Sequence, residues 1–237
     1  GAKPPHLLKP EETRKAVKME DLYIDVGMGA ARIKEIVSIG DLVTFKADLL
    51  ELKGGKVSSK SIDNRCGVSV LMGIMEEVAK IRHEADLYFV ATSQEETHCT
   101  GAEIIAYNLR PDLAIVIDAC HGDMPDVSKD GVHTLGKGPA IGIGPNLHKK
   151  LTQRLIDICK EESIPYQVDV EPDDTGTEAW VIQVSRSGIP SLLISIPVRY
   201  MHTTVETVSM DDLKVAARMV AAFARKIEPE KEGIVCL

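Results

Sequence analysis

The chain has 237 residues, a formal net charge of −8, 44% hydrophobic residues and 27% charged residues. These values are typical of a globular protein, and the negative charge argues against a general affinity for nucleic acid or anionic membranes. The five cysteines are odd in number and contain no C-x-x-C pair, which argues against a disulfide framework and favours a reducing, cytoplasmic location. No apolar run reaches the ~18 residues of a membrane span.

The first 46 residues predict a small β-rich unit. They open in the proline-rich GAKPPHLLKPEE, with neither an initiator Met nor a signal peptide, and carry two strand-like pieces, DLYIDVG and GDLVTF. Glycine and aspartate separate these pieces, and no helical period runs through them. We therefore expect an incomplete β-rich domain over residues 1–46, in a chain that was processed or is a piece of a longer one.

From residue 47 the pattern changes to alternating strands and helices. LLELKGGKVSSKS predicts a hairpin that turns at Gly54 and Gly55. DNRCGVSVLMGIMEEVAKI has the apolar spacing of an amphipathic helix. ADLYFVATS then predicts a strand, GAEIIAYNL a helix and DLAIVIDAC a fully buried strand.

The second half continues the alternation. The glycine-rich GKGPAIGIGPN leads into the helix LHKKLTQRLIDICKEE, followed by the strand PYQVDVE, a helix closed by Gly188 and the strand PSLLISIP. The terminal helix SMDDLKVAARMVAAFARKI has Ser209 as N-cap and Asp212 three residues later. Such alternation predicts an α/β fold over residues 47–237, with a mostly parallel sheet covered on both faces.

Unusual polar residues stand where such a sheet places its site, at the carboxyl ends of strands. Glu95 and Glu96 follow one predicted strand, Asp118 ends the run LAIVI, His202 follows LLISIPVRYM, and Asp63 precedes a helix. Crowded carboxylates repel one another unless a cation or proton accompanies them. Oxygen and nitrogen ligands without thiolate suit Zn²⁺, Co²⁺ or Mn²⁺.

Each of these residues also has a simpler interpretation. Asp118 fits a turn, Asp63 fits a helix N-cap, His202 fits a packed or solvated histidine, and adjacent glutamates fit a solvated surface. Their coincidence at neighbouring strand ends favours the cation.

Five stretches carry a family resemblance: SKSIDNRCGVSVLMGIMEEV, VATSQEETHCTGAE, PDLAIVIDAC, GPAIGIGPN and GTEAWVIQVSRSGIPSLLISIPVRYMHTTVETV. Together they resemble the M42 family of metallo-aminopeptidases, which includes TET aminopeptidases and proteins labelled endoglucanase or cellulase M. The resemblance implies a three-layer α/β/α zinc-peptidase sandwich (phosphorylase/hydrolase-like) interrupted by a β-rich dimerisation domain. Residues 1–46 would be the second part of that insert and residues 47–237 the catalytic domain. Family members form homo-oligomers, commonly tetrahedral dodecamers built from dimers.

The resemblance also assigns roles. Asp63 resembles the carboxylate that bridges two metal ions, Glu96 and His202 resemble ligands of one ion, and Asp118 resembles a ligand of the other. Glu95 resembles the general base. The implied activity is removal of N-terminal residues from short peptides by a metal-bound hydroxide, with two Zn²⁺ or Co²⁺ ions, or Mn²⁺ as a third option.

The sequence departs from the family in one ligand. The family takes a further histidine, in an H-x-D motif, from a segment that precedes the insert and that this sequence does not contain. His121-Gly-Asp123 has the same form but follows Asp118 in a predicted loop, and we interpret it as coincidence. The roles of His98 and His6 stay open. We therefore expect a truncated enzyme with weak or absent turnover, one retained metal and exposed apolar surface beside the sheet.

Two alternatives remain at this point. The chain is a non-catalytic or impaired subunit of the same fold with an assembly or regulatory role, or it is an endoglucanase. A glycosidase needs two carboxylates in a cleft and no metal ligands.

Overall fold

The computed structural model describes residues 3–227, and the chain divides into two compact units, Gly1–Thr44 and Phe45–Leu237. Cys236 lies outside the described residues. The first unit contains two 3₁₀ turns (Pro5–Leu7 and Met19–Asp21) and the four-residue helix α1 (Ala30–Ile33), none of which buries a residue.

The predicted β-rich character of the first unit is not found. Over residues 3–44 the structure has no strand, and DLYIDVG and GDLVTF lie outside any sheet. A strand persists when its N–H and C=O groups pair in a ladder with a neighbouring strand, and neither segment is assigned to a ladder in the described part of the chain. The assignment of residues 1–46 to a dimerisation insert stays a prediction.

The second unit carries the predicted alternation of strands and helices. Its described elements are β1 (Leu50–Leu52), β2 (Lys56–Ser59), α2 (Ile62–Val78), α3 (Glu95–His98), α4 (Thr100–Leu109), β3 (Ala114–His121), β4 (Ala140–Ile143), α5 (Lys149–Glu161), β5 (Gln167–Val170), α6 (Ala179–Gln183), β6 (Ser191–Arg199), β7 (Glu206–Ser209) and α7 (Met210–Lys226). The sequence predicted neither β4, which lies in the glycine-rich stretch, nor β7 as a strand. None of the described helices is both long enough and apolar enough to cross a membrane.

The seven strands of residues 3–227 form one mixed sheet in the order β1-β2-β7-β6-β4-β5, with β3 paired to β6. The pairs β3–β6 and β4–β5 are parallel, whereas β1–β2, β2–β7, β4–β6 and β6–β7 are antiparallel. The prediction of a mostly parallel sheet is therefore wrong. The short connections of the β1–β2 and β6–β7 pairs explain part of the difference, because a short turn can join only antiparallel neighbours.

The sheet is the middle of three layers. Along β6, Leu192, Ile194 and Ile196 are fully buried in a core shared with α2, α5 and α7, whereas Leu193 lies in a second core with residues of α4 and α6. Successive side chains of a strand point to opposite faces, so the two cores lie on opposite sides. This confirms the predicted α/β/α sandwich.

One edge of the sheet differs from the prediction. The segment ADLYFVATS, predicted as a strand, belongs to no ladder, and Tyr88 within it is exposed. A cavity of about 890 Å³ is bounded by this segment and by β3, with Leu71, Phe89, Ile115 and Phe223 in its apolar lining. Because β3 has β6 as its sole ladder partner in the described residues, it is half-buried rather than fully buried.

At the start of α7, the hydrogen bonds of the polar side chains also differ from those expected. Ser209 occupies the N-cap position but its hydroxyl makes no capping hydrogen bond. The carboxylate of Asp212 instead accepts hydrogen bonds from the backbone N–H groups of Gly136 (2.7 Å) and Gly138 (2.8 Å). Gly138 has a φ of +94°, and a Cβ there would lie 2.3 Å from the carbonyl oxygen of Pro165. The predicted N-cap position of Ser209 is confirmed, whereas Asp212 anchors the glycine-rich loop.

Candidate active site

The two adjacent glutamates begin a short helix at the end of the unpaired segment. Gln94, with a φ of 64°, turns the chain, and Glu95 and Glu96 form the first turn of α3. The N–H of Gly101 donates to the carbonyl of Ser93 (3.0 Å), and a Cβ at Gly101 would lie 2.4 Å from that oxygen. The absence of a side chain at Gly101 thus lets the start of α4 pack directly on the turn that carries the glutamates.

Asp63 lies at the first turn of α2, next to a cis peptide bond between Asp63 and Asn64. The Asn64 amide donates to the carbonyl of Ile117 (2.8 Å), and its oxygen accepts from the N–H of Gly67 (3.0 Å). Asn64 therefore ties the start of α2 to β3, one residue before Asp118. Asp63 and Asp118 are brought to the same end of the sheet.

Glu206, on β7, fixes two of the candidate residues and was missed by the sequence reasoning. It is only 2% exposed, and its carboxylate accepts hydrogen bonds from the backbone N–H groups of Asp63 (3.1 Å) and His202 (2.7 Å). Hydrogen bonds to a charged acceptor are stronger than neutral ones. A signal was present in the sequence, because a lone glutamate inside the β-branched stretch TVETV is unusual for a buried strand.

Three predicted metal ligands converge. The Nε2 atom of His202 lies 3.1 Å from Oδ2 of Asp63 and 3.5 Å from Oε2 of Glu96, and one ligand atom from each residue lies within 4.8 Å of the other two. The Asp63 side chain is 8% exposed, whereas His202 and Glu96 are more than half exposed. The group is thus anchored in the protein on one side and open to solvent on the other.

Asp118, the fourth predicted ligand, lies beside this group and is not a member of it in the described residues. It is 6% exposed, and its carboxylate accepts a hydrogen bond from the N–H of Ala119 (2.8 Å). Burial, followed by the charges of Glu95 and Asp63, raises the pKa of Asp118 to about 8. A cation near this carboxylate would offset the cost of its negative charge.

Glu95 is in a different environment from Glu96. It lies outside the group of three and is partly buried. Its pKa is raised, first by burial and then by the charges of Glu96 and Asp63. Glu178 lies close enough to add to this effect and receives a hydrogen bond from the hydroxyl of Thr92. A carboxyl group with a raised pKa beside a possible metal site suits proton transfer.

The histidines His6, His98 and His121 are not members of this group in the described residues. His98 is exposed at the end of α3, and His6 belongs to the first unit. Asp123 forms an ion pair with Arg199 (2.7 Å), and His121 is exposed at the end of β3. Asp123 of the His121-Gly-Asp123 sequence is thus used in an ion pair at the end of the sheet.

Comparison with known proteins places this geometry in a family. The chain is 30% identical over 232 residues to a lysyl aminopeptidase of Pyrococcus furiosus, covering 97% of this chain and 66% of that protein. The aminopeptidase APDkam598 of Desulfurococcus kamchatkensis superposes with a TM-score of 0.88 at 35% identity, covering 98% of this chain and 66% of that one. TET1 peptidase of Pyrococcus horikoshii, described as assembling into a tetrahedron or a large octahedral shell, superposes with a TM-score of 0.80 at 28% identity, covering 96% and 67%.

These superpositions and the three-layer sandwich define a fold of the zinc-peptidase class. The sequence model of the M42 glutamyl aminopeptidase family matches residues 1–219, and the chain belongs to that family. The chain spans about two thirds of the length of the relatives it matches, 66% in the first two comparisons.

Proposed function

We propose that this chain is a metal-dependent aminopeptidase that removes N-terminal residues from short peptides. The observation that carries the proposal is the convergence of Asp63, Glu96 and His202 beside Glu95, at the sheet end of an M42 family member. The exposed side of the group leaves room for a peptide end. The surrounding carboxylates favour a cationic group, such as the free α-ammonium of a peptide.

The donor set fits a divalent cation. Two carboxylates and one imidazole within 4.8 Å of one another match the ligands that Zn²⁺ and Co²⁺ accept in proteins, with Mn²⁺ also compatible. Asp63, Glu96 and His202 would hold one ion, and Asp63 and Asp118 would contribute to a second. Bound ions would supply Lewis acidity for the scissile carbonyl and lower the pKa of the attacking water.

The protein residues divide the remaining work. Glu95, which is outside the ligand group, accepts the proton of the attacking water and returns it to the leaving amine. Glu206 holds the backbones of Asp63 and His202 through its two hydrogen bonds, which keeps their side chains oriented. Asp118 is more buried than Glu96 and His202, and its carboxylate is close enough to Glu95 and Asp63 for their charges to act on it.

We also propose that the chain forms homo-oligomers through residues 1–46; the assembly described for the similar TET1 peptidase supports oligomer formation. This first unit presents Ile39 and Leu42 fully exposed, and exposed apolar side chains are suited to an interface. Light scattering should give a mass above that of one chain for the parent, and a lower mass for Leu42→Glu. The control Val184→Glu changes an exposed valine of the second unit and should keep the parent mass.

One observation favours an impaired subunit as a second candidate. In the described residues no histidine joins Asp118 in a ligand group, so the second ion would have only carboxylates. In that case the chain would bind one cation and hydrolyse peptides weakly or not at all. The presence of His202 in the group fits metal-dependent hydrolysis better than glycoside hydrolysis.

The experiment is hydrolysis of leucine- and glutamate-anilides by the purified chain, with bound metal counted in parallel. We expect turnover that a chelator abolishes, that Zn²⁺ or Co²⁺ restores and that Asp63→Asn removes, whereas an N-acetylated substrate is not cleaved. Asp211→Asn, at an exposed carboxylate, is the matched control and should keep full activity. Metal binding without turnover would support the impaired subunit, and chelator-resistant hydrolysis of cellulose would overturn the proposal.

A further inference from the structure

A second group of metal-ligating side chains lies away from the three candidate catalytic ligands. Cys120 on β3, His133 in the β3–β4 connection and Asp169 on β5 each offer one ligand atom, and these atoms lie within 4.8 Å of one another. The family resemblance and the proposed reaction assign no role to them. They join three segments that are distant in sequence.

The backbone holds all three residues in place. Cys120 pairs with Pro197 in the β3–β6 ladder, and Asp169 pairs with Gly142 in the β4–β5 ladder. His133 donates its backbone N–H to the carbonyl of His121 (2.8 Å), and its own carbonyl accepts from the N–H of Asp123 (2.8 Å). The three metal-ligating side chains are therefore held by a rigid sheet and by a loop that is hydrogen-bonded to its end, as a metal site requires.

The Nε2 atom of the His133 imidazole has no hydrogen-bond partner in the described residues. His133 is 7% exposed, and its Nε2 atom makes no hydrogen bond. That atom lies 3.0 Å from Oδ1 of Asp169, but the direction of the ring N–H does not suit a bond to this oxygen. A buried polar atom without a hydrogen-bond partner is unfavourable, and a cation bound between the ring and the carboxylate would offset that cost.

The chemistry of the cluster is that of a structural zinc site. Sulfur and imidazole nitrogen favour Zn²⁺ over Mg²⁺ or Ca²⁺. Glu171 follows β5, and its carboxyl, whose pKa burial raises, lies close enough to Asp169 for that charge to raise the pKa further, so it lies within reach as a fourth ligand. Ligand atoms around a tetrahedral Zn²⁺ are roughly 3.3–3.6 Å apart, from the usual bond lengths. Small side-chain movements of about 1 Å would therefore close the group on an ion.

We propose that Cys120, His133 and Asp169 bind a structural divalent cation of the zinc type, with Glu171 supplying a fourth ligand. On binding, the S–H bond of Cys120 breaks, its proton passes to solvent and a sulfur–metal bond forms. The ion fastens the connection between β3 and β4 to β5. The buried thiol, 8% exposed, leaves no room for a substrate, so the site is structural.

Cobalt binding to the metal-free full chain tests this site, because a thiolate ligand gives a sulfur-to-cobalt charge-transfer absorption in the near ultraviolet. The three candidate catalytic ligands include no sulfur, so binding there gives no such absorption. We expect the absorption in the parent chain and in Glu96→Gln, its displacement by Zn²⁺, and its loss in Cys120→Ser. Cys159→Ser, at another buried free cysteine on α5, is the matched control and should retain it.

His133→Ala provides a second test that leaves every thiol intact. It should weaken cobalt binding at the sulfur site by at least tenfold while its circular dichroism spectrum matches that of the parent. A parent chain without the charge-transfer absorption would overturn the proposal. So would an absorption that persists in Cys120→Ser, or one that is lost in Cys66→Ser alone.

Discussion

At the scale of single residues, Glu95 and Glu96 have different environments although they are adjacent in sequence. Glu96 lies 3.5 Å from His202 and is more than half exposed, whereas Glu95 is partly buried and its raised pKa reflects burial and neighbouring charges. Consecutive residues at the start of a helix point in directions about 100° apart. The two carboxylates can therefore serve different partners, one a cation and the other a proton.

Replacing each glutamate by glutamine separates these functions. We expect Glu95→Gln to lower kcat by about 10²–10⁴-fold while the bound metal stays at the parent level, because the proton acceptor is lost and the ligands remain. Glu96→Gln should lower metal affinity as well as kcat. The control Glu103→Gln changes an exposed glutamate of α4 and should leave both values unchanged. Equal metal loss in Glu95→Gln and Glu96→Gln would contradict the division.

The buried carboxyl of Asp118 predicts a pH dependence of stability in the metal-free protein. Its pKa is raised from 3.8 to about 8, so between these values the folded chain holds a proton that the unfolded chain has lost. The free energy of unfolding should therefore fall as pH rises from about 4 to 8, by at most about 1.4 kcal/mol per pH unit from this group.

Urea denaturation with a chelator present, at several pH values, measures this effect. Asp118→Asn should flatten the dependence, whereas Asp112→Asn, at an exposed aspartate, should keep the parent slope. Identical slopes in the parent and Asp118→Asn would show that the carboxyl is not held in its protonated form.

At the scale of elements, Asp212 links the last helix to the glycine-rich loop. Its carboxylate is the acceptor for the N–H groups of Gly136 and Gly138, and Asp212 is 1% exposed. Asp212→Ala leaves two donors without this acceptor, and we expect a loss of about 2–4 kcal/mol in the free energy of unfolding. Asp211→Ala, one residue earlier and exposed, should change it by less than about 0.5 kcal/mol. Equal effects in urea denaturation would contradict this role.

Periodicity predicted the elements whose stability comes from an amphipathic face. The helices α2, α5 and α7 and the strands β3 and β6 all lie where the apolar pattern placed them. The incorrect predictions concern strand pairing, which depends on the neighbouring strand as well as on the segment itself. ADLYFVATS has the composition of a strand but no ladder partner in the described residues, and β7 was missed because its four residues, ETVS, are too short for a pattern.

Hydrogen exchange distinguishes a strand from an unpaired extended segment. Backbone amides without ladder hydrogen bonds open at little cost in free energy. We therefore expect residues 86–92 to exchange far faster than residues 191–199 of β6, which are buried and paired over most of their length. Mass spectrometry of peptic peptides measures both segments in one experiment. Comparable protection of the two would show that residues 86–92 are paired.

At the scale of the whole molecule, the candidate site is assembled from distant parts of the chain. Asp63 begins α2, Glu95 and Glu96 begin α3, Asp118 lies on β3 and His202 follows β6. The rule that sites gather at strand ends predicted this neighbourhood. It could not predict Glu206, whose function is to hold two backbone N–H groups, or the approach of Cys120, His133 and Asp169, which depends on the order of strands in the sheet.

In the proposed site, Asp63, Glu96 and His202 hold a divalent cation while Glu95 stays uncoordinated. Anomalous diffraction at the zinc edge from crystals grown with Zn²⁺ tests it most directly. We predict a peak about 2.0–2.2 Å from Oδ2 of Asp63, Oε2 of Glu96 and Nε2 of His202, with the Glu95 carboxylate outside bonding distance. A structure with no peak at these atoms, or with Glu95 bound to the metal, would rule out this set of ligands.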